Sequence, residues 1–396
     1  MLPPIHLVLI EEPGAHLHVQ VQQVFIRNAY EVLRKNPKLG TSEQFVTQLI
    51  ASTHSSHVAH EVEFSCIRYF RRYPANYPDG GGGTLSRVPI STVVNLTEAF
   101  GDQKETSRFA RRYLKSTHTD LFFADAANLI EGSAERILLP QFVQKRFKFL
   151  NECYITWLEV GGSHAHRLRP LIEHLGILTL VITDIDAFDP AKKNSSARPA
   201  KGLGLKTRNS TLKDWRPMRE QIDELLALSL DDKKIDDGPL AAIRVAYQTE
   251  IEVTRGEKSA KLAPYTFEDA IVLQNLAAAE KWSGSGLMGE FAEIVKSTPD
   301  LKELAKKLFS ALETSKKGEF ALDLLEIKEG PSELECPVYI AEALTWLQEK
   351  LRVKKSEAIP LAASASAPQS QTSGDQSQPI QSEKPDQTSP PGGDKK

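Results

Sequence analysis

The chain has 396 residues, 40% of them hydrophobic, and a formal net charge of −3. That length admits two to three domains with sizeable cores, and the near-balanced charge removes a global basic signature for nucleic acid. Three scattered cysteines (Cys66, Cys153, Cys336) have neither zinc spacing nor a paired framework, and no apolar run reaches the roughly 18 residues of a membrane span, so a reduced, soluble, cytoplasmic protein with no membrane partner is expected.

In chain order, a strand at Ile5–Ile10 closes on Glu11-Glu12-Pro13. A long helix near Val19–Lys35 follows, then a strand at Gln48–Ser52 and shorter strands near Cys66–Arg71 and Val88–Asn95. Together these make one unit, residues 1–100. Pro74–Thr84, which holds Gly80-Gly81-Gly82-Gly83, reads as a turn or loop. A second unit, 119–220, alternates strand and helix. It runs from Ala126–Ile130, ending at Glu131-Gly132, through Tyr154–Val160 and Gly161-Gly162, then a helix closing near Leu175-Gly176, to Leu180–Thr183 followed by Asp184-Ile185-Asp186. A third unit, 221–353, is mostly helical by its apolar spacing. Residues 356–396 are Ser, Pro, Gln, Ala, Gly and charge, which cannot bury a core, and form an expected disordered tail.

The chemistry sits in the second unit. Carboxylates at i and i+2 leave a strand on the same face, and Glu131 and Glu135 are four apart where a helix begins. Oxygen ligands gathered this way suit Mg²⁺ or Mn²⁺ and phosphate chemistry, which points to cutting or joining nucleic acid. Between Lys192 and Arg216 lie eight basic residues (Lys192, Lys193, Arg198, Lys201, Lys206, Arg208, Lys213, Arg216) against one acid, Asp214. This segment reads as a mobile loop at the mouth of the site, contacting DNA phosphates without reading bases. Arg208-Asn209-Ser210-Thr211 then opens a helix, with Ser210 or Thr211 as its cap. His164 and His166 lack a partner at metal spacing and read as surface residues. Gly161-Gly162 serves either close backbone approach or a plain turn.

The ordered set strand–Glu-Gly, strand–Gly-Gly, strand–Asp-x-Asp resembles a TOPRIM domain, the catalytic module of topoisomerases, primases and several nucleases. The first unit resembles part of an ABC-type ATPase head: a Walker B strand ending in Glu11 and Glu12, the Ala15-His16-Leu17-His18 segment after it, and a switch histidine, His54. No Gly-x-x-x-x-Gly-Lys-Ser/Thr loop is present, and Gly80–Gly83 lacks the context of one. ATP is therefore expected to act only if a separate P-loop half, such as another chain, is supplied. The ATPase–TOPRIM order is similar to the OLD (overcoming lysogenization defect) nucleases. The implied fold is α/β: a truncated ABC-type ATPase head joined to a Rossmann-like TOPRIM domain, then a mostly helical region and a disordered tail.

That resemblance implies a two-metal endonuclease acting on DNA, coupled to an ATPase, dimeric, and serving DNA repair or phage defence. Carried over by motif, the metal ligands are Glu131, Glu135, Asp184 and Asp186. Glu268 joins them through Tyr265-Thr266-Phe267-Glu268-Asp269, and Lys317, in Lys316-Lys317-Gly318-Glu319-Phe320-Ala321, faces the scissile phosphate. Two other readings compete: a truncated, non-catalytic remnant or partner-dependent subunit, and a topoisomerase or primase. The cysteine pattern disfavours a primase zinc module.

Overall fold

The computed structural model describes residues 6–34, 47–73, 90–99, 108, 110, 112–114, 119–236, 242–312, 317–327 and 333–358. The expected Gly80–Gly83 loop and nearly all of the expected tail lie outside these residues.

The first region holds β1 (His6–Glu11), α1 (Val19–Arg34), β2 (Thr47–Ser52), α2 (Ser56–Glu61), β3 (Arg68–Tyr73) and β4 (Ile90–Asn95). β1 and β2 pair in parallel, with Glu11 level with Ser52, while β3 and β4 form an antiparallel pair. The second region follows with β5 (Ala126–Ile130), α3 (Ser133–Arg146), α4 (Lys148–Asn151), β6 (Ile155–Glu159), α5 (Arg169–Leu175) and β7 (Thr179–Ile182). Strands β5, β6 and β7 run parallel, with β5 between the other two.

The sheet does not stop at residue 220. The region expected to be mostly helical contributes β11 (Lys234–Asp236) and β12 (Ala242–Ala246), giving the order β11-β12-β7-β5-β6. All five residues of β12 are buried, so Ala-Ile-Arg-Val-Ala shows no alternation by which a sequence reading would mark a strand. A hairpin of β13 (Ile251–Arg255) and β14 (Lys258–Leu262) comes next.

Alternation along β5 explains the layering. Ala126 and Ile130 face one apolar core with α3 and the C-terminal helices; Ala127 and Leu129 face another with α5 and the helix Ile222–Ala227. Parallel strands buried on both faces are what such crossovers produce. The second core also takes Phe64 and Leu96 from the first region, so packing continues across the 100–119 boundary.

Candidate active site

Parallel pairing of β5 with β7 sets their carboxyl ends side by side, the usual ligand position in open α/β sheets. Glu131 leaves β5 and its Oε2 accepts hydrogen bonds from the Thr183 hydroxyl at 2.9 Å and the Asp184 backbone N–H at 2.7 Å. The two acidic motifs, distant in sequence, therefore touch. Glu135, buried in the first turn of α3, reaches back so that its Oε2 accepts from the Gly132 N–H at 3.1 Å. This contact satisfies one of the donors that a helix start leaves open.

Asp184 is buried and Asp186 half-buried, the latter with a left-handed φ of 49°. The carbonyl of Asp186 accepts from the Arg208 N–H at 3.0 Å. Asp184 Oδ1 accepts from Gln248 Nε2 at 2.6 Å, and Gln248 Oε1 accepts from the Ile185 N–H at 2.7 Å. Glu268 opens the helix Phe267–Gln274 and its Oε2 accepts from the Thr266 hydroxyl at 2.7 Å, while Asp269 closes the cap on the Tyr265 and Thr266 N–H groups. Burial holds the Tyr339 phenol well above its usual value, and the charges of Asp184, Glu135 and Glu268 push it the same way. The charges of three of the expected acids, carried by three elements, thus act on one buried phenol. Lys317 begins the helix Lys317–Glu326, which packs along α3; its side chain lies outside the described residues.

The acids fit a hard divalent cation by type, being all oxygen donors and largely buried. Among the described residues, however, no group of three His, Cys, Asp or Glu stands ready-made for a metal. An oxygen each of Glu131, Glu135, Asp184 and Glu268 is engaged by a protein donor.

The basic segment is not a loose loop. β8 (Ala187–Asp189), β9 (Ser195–Ser196) and β10 (Lys206–Thr207) fold it into a small sheet, and the Thr207 hydroxyl donates to the Ile185 carbonyl at 2.6 Å. Several of its cations already face acids: Lys192 with Asp189 at 3.4 Å, Lys201 with Glu250 at 2.5 Å, Lys206 with Glu220 at 3.1 Å. Arg208 lies 5.1 Å over the Phe188 ring and donates to Ser196 and the Asn194 carbonyl. Lys193 is exposed with a left-handed φ of 52°. Burial lowers the Arg198 guanidinium and the Asp269 charge opposes this.

The helix Ser210–Asp214 is capped by Asn209 rather than by Ser210 or Thr211, because Asn209 Oδ1 accepts from the Thr211 and Leu212 N–H groups at 2.9 and 3.4 Å. Gly161 has a left-handed φ of 65°, and an added Cβ would meet nothing within 4 Å, so the turn requires glycine for conformation rather than for space. His164 is exposed yet feels the charge of Glu131; burial lowers its imidazole first, Arg167 next, and Glu131 opposes both. Gln248, Thr183, Asn209 and Tyr339 were not marked by the sequence reading.

In the first region, Glu12 Oε2 accepts from the His54 N–H at 3.3 Å and the Thr53 hydroxyl at 3.5 Å, and its Oε1 lies 3.7 Å from His54 Nε2. Glu11 is exposed at the end of β1. The expected ATPase acids and histidine are therefore neighbours.

Residues 122–186 match the family described as Overcoming lysogenization defect protein-like, TOPRIM domain, and residues 3–59 match the AAA ATPase domain. Over those residues the chain is similar to the OLD-like TOPRIM family. Endonuclease GajA of Bacillus cereus (strain HuB5-5) is 28% identical to this chain over 365 residues, covering 88% of it and 49% of the relative. Endonuclease GajA of strain VD045 is 26% identical over 185 residues, 46% of this chain and 26% of the relative. The chain thus spans about half the length of the first of these relatives or less. The C-terminal region of the Burkholderia pseudomallei OLD protein aligns over 58% of this chain and 99% of its own at 20% identity, with a TM-score of 0.34. No helix among the described residues is long and apolar enough to cross a membrane.

Proposed function

We propose that the chain hydrolyses DNA phosphodiester bonds as a metal-dependent endonuclease. One observation carries this reading: Glu131 and Asp184 meet at the carboxyl ends of adjacent parallel strands, where the Glu131 carboxylate accepts from the Asp184 N–H. The two relatives named as endonucleases support it. Glu131, Glu135, Asp184, Asp186 and Glu268 would hold two Mg²⁺ or Mn²⁺ ions, which when bound supply charge for the attacking and leaving oxygens. The protein's own part is positional. Thr183 and the Asp184 N–H fix Glu131, and Gln248 fixes Asp184. Lys317 supplies positive charge to the phosphate as it becomes more negative. The basic segment lays the strand across the site by its phosphates, with a homodimer, a cytoplasmic location, and DNA repair or phage defence as its setting.

A second reading has its own observation. Leu7, Leu9 and Ile50 share the outer face of β1–β2 and are 52%, 68% and 50% exposed. Large apolar side chains side by side on a sheet mark an interaction face. That favours a unit dependent on a separate ATP-binding half, in which Glu11, Glu12 and His54 act with ATP only when the partner is present.

The test is nicking of supercoiled plasmid by the purified chain with Mg²⁺ or Mn²⁺ and no ATP, beside the double variant Asp184→Ala/Asp186→Ala. Cutting by the wild type alone is the expected result. A folded wild type that leaves the plasmid intact sinks autonomous activity and favours the partner-dependent unit.

A further inference from the structure

The site is built on three adjacent parallel strands, and the third contributes no acid. β12 lies beside β7, and two residues beyond its end stands Gln248, fully buried. A buried primary amide must satisfy two donors and an acceptor, and its orientation follows from which partners it finds. Here the Ile185 N–H donates to Gln248 Oε1 at 2.7 Å, which forces Nε2 to the other side. Nε2 then donates to Asp184 Oδ1 at 2.6 Å and to the Tyr339 hydroxyl at 3.3 Å.

Gln248 therefore grips the Asp184–Ile185 turn twice, once by backbone and once by carboxylate. Being neutral, it fixes the plane of Asp184 without neutralising it, as a lysine in its place would. Tyr339, on the helix Val338–Ala358 that packs over β7 and β12, closes the grip from behind. A phenol accepting from Gln248 keeps its own O–H to donate.

We propose that Gln248, braced by Tyr339, is a positioning residue that holds the Asp184 carboxylate in the orientation divalent-cation binding requires. The proposal rests on the two-metal reading of the acids given above. Groups that orient metal ligands from behind are worth about 10- to 100-fold in metal affinity or activity.

The experiment is Mn²⁺ binding to the full chain, followed by electron paramagnetic resonance, for the wild type, Gln248→Met, Tyr339→Phe and Asp184→Ala. Melting of each metal-free protein is recorded alongside. Methionine keeps the volume of glutamine and removes all three of its hydrogen bonds. Gln248→Met is expected to weaken Mn²⁺ about 10- to 100-fold while still melting cooperatively, at a lower temperature because buried groups lose their partner. Tyr339→Phe should weaken it about threefold, the worth of one neutral hydrogen bond. Raising Mn²⁺ should restore plasmid cleavage to Gln248→Met but not to Asp184→Ala, a split that mere destabilisation would not produce. Wild-type Mn²⁺ affinity in Gln248→Met, with binding lost in Asp184→Ala, overturns the positioning role and leaves the site reading intact. Wild-type affinity in Asp184→Ala overturns the site reading, and the inference falls with it. Should Gln248→Met fail to fold, Tyr339→Phe decides by the same readings.

Discussion

Thr183 is a small residue with two obligations. Its hydroxyl donates to Glu131 and accepts from Asn209 Nδ2 at 2.6 Å, in a place almost closed to solvent. Thr183→Val keeps the shape but strips a half-buried carboxylate and a buried amide of a partner each, so the chain should lose about 1–3 kcal/mol in urea unfolding. An unchanged midpoint would mean that neither bond matters. Lys233 presents the opposite case, a buried cation held 4.5 Å over the Tyr247 ring. Burial pushes its ammonium down to about 8, against the charge of Glu342, which favours it. Above pH 8 the folded chain has released a proton that the unfolded chain keeps to about pH 10.4, so the unfolded state binds more protons and stability rises with pH across that window. Relative to Lys233→Met, the wild type should gain at most about 3 kcal/mol between pH 7 and 10.5. Parallel urea curves at both pH values test this; a difference that does not change with pH would refute it.

At the scale of elements, Asn209 joins the basic segment to the acids. Its Oδ1 caps Ser210–Asp214, and its Nδ2 donates to Thr183 and to the Asp184 carbonyl at 2.7 Å. Asn209→Ala removes the cap and both bonds, at about 2–4 kcal/mol in all. The segment should then open to trypsin at Lys201, Lys206 and Arg208 faster than in the wild type; equal cleavage rates would show that other contacts hold it. This element also shows where a sequence stops being readable. Glu131, Asp184 and Asp186 could be named as candidates because they follow local apolar runs, a signal contained within a few residues. Asn209 as cap was missed by one or two positions, since Asn, Ser and Thr stand in a row and all can cap. Gln248 was not legible as part of the site. Its role depends on β12 lying beside β7, and on Tyr339 arriving from a helix about ninety residues later.

Across the whole molecule, the first region and the TOPRIM region are fastened to each other. The Thr119 hydroxyl donates to the Ser56 carbonyl at 2.9 Å, and the His54 ring stands edge-on to Phe123, three residues before β5. The net charge of −3 poses a related question, namely how such a chain would hold DNA. Its basic segment is already answered by acids, Lys201 by Glu250 and Lys206 by Glu220. These pairs are partly exposed and worth at most about 1 kcal/mol each, so a phosphate can displace the carboxylate cheaply. The carboxylate nonetheless remains nearby and repels the strand. If DNA lies along this segment, Glu220→Gln/Glu250→Gln should tighten binding of a plasmid-length duplex at 50 mM salt, and the gain should shrink by 200 mM as screening grows. The slope of log affinity against log salt should steepen by up to about 0.9 for each lysine freed for a phosphate. Lys201→Gln/Lys206→Gln should move affinity and slope the other way. If both double variants bind with the wild-type affinity and slope, DNA does not lie on this face. The acids of the site would then have to be reached from the side of Gly161 and His164.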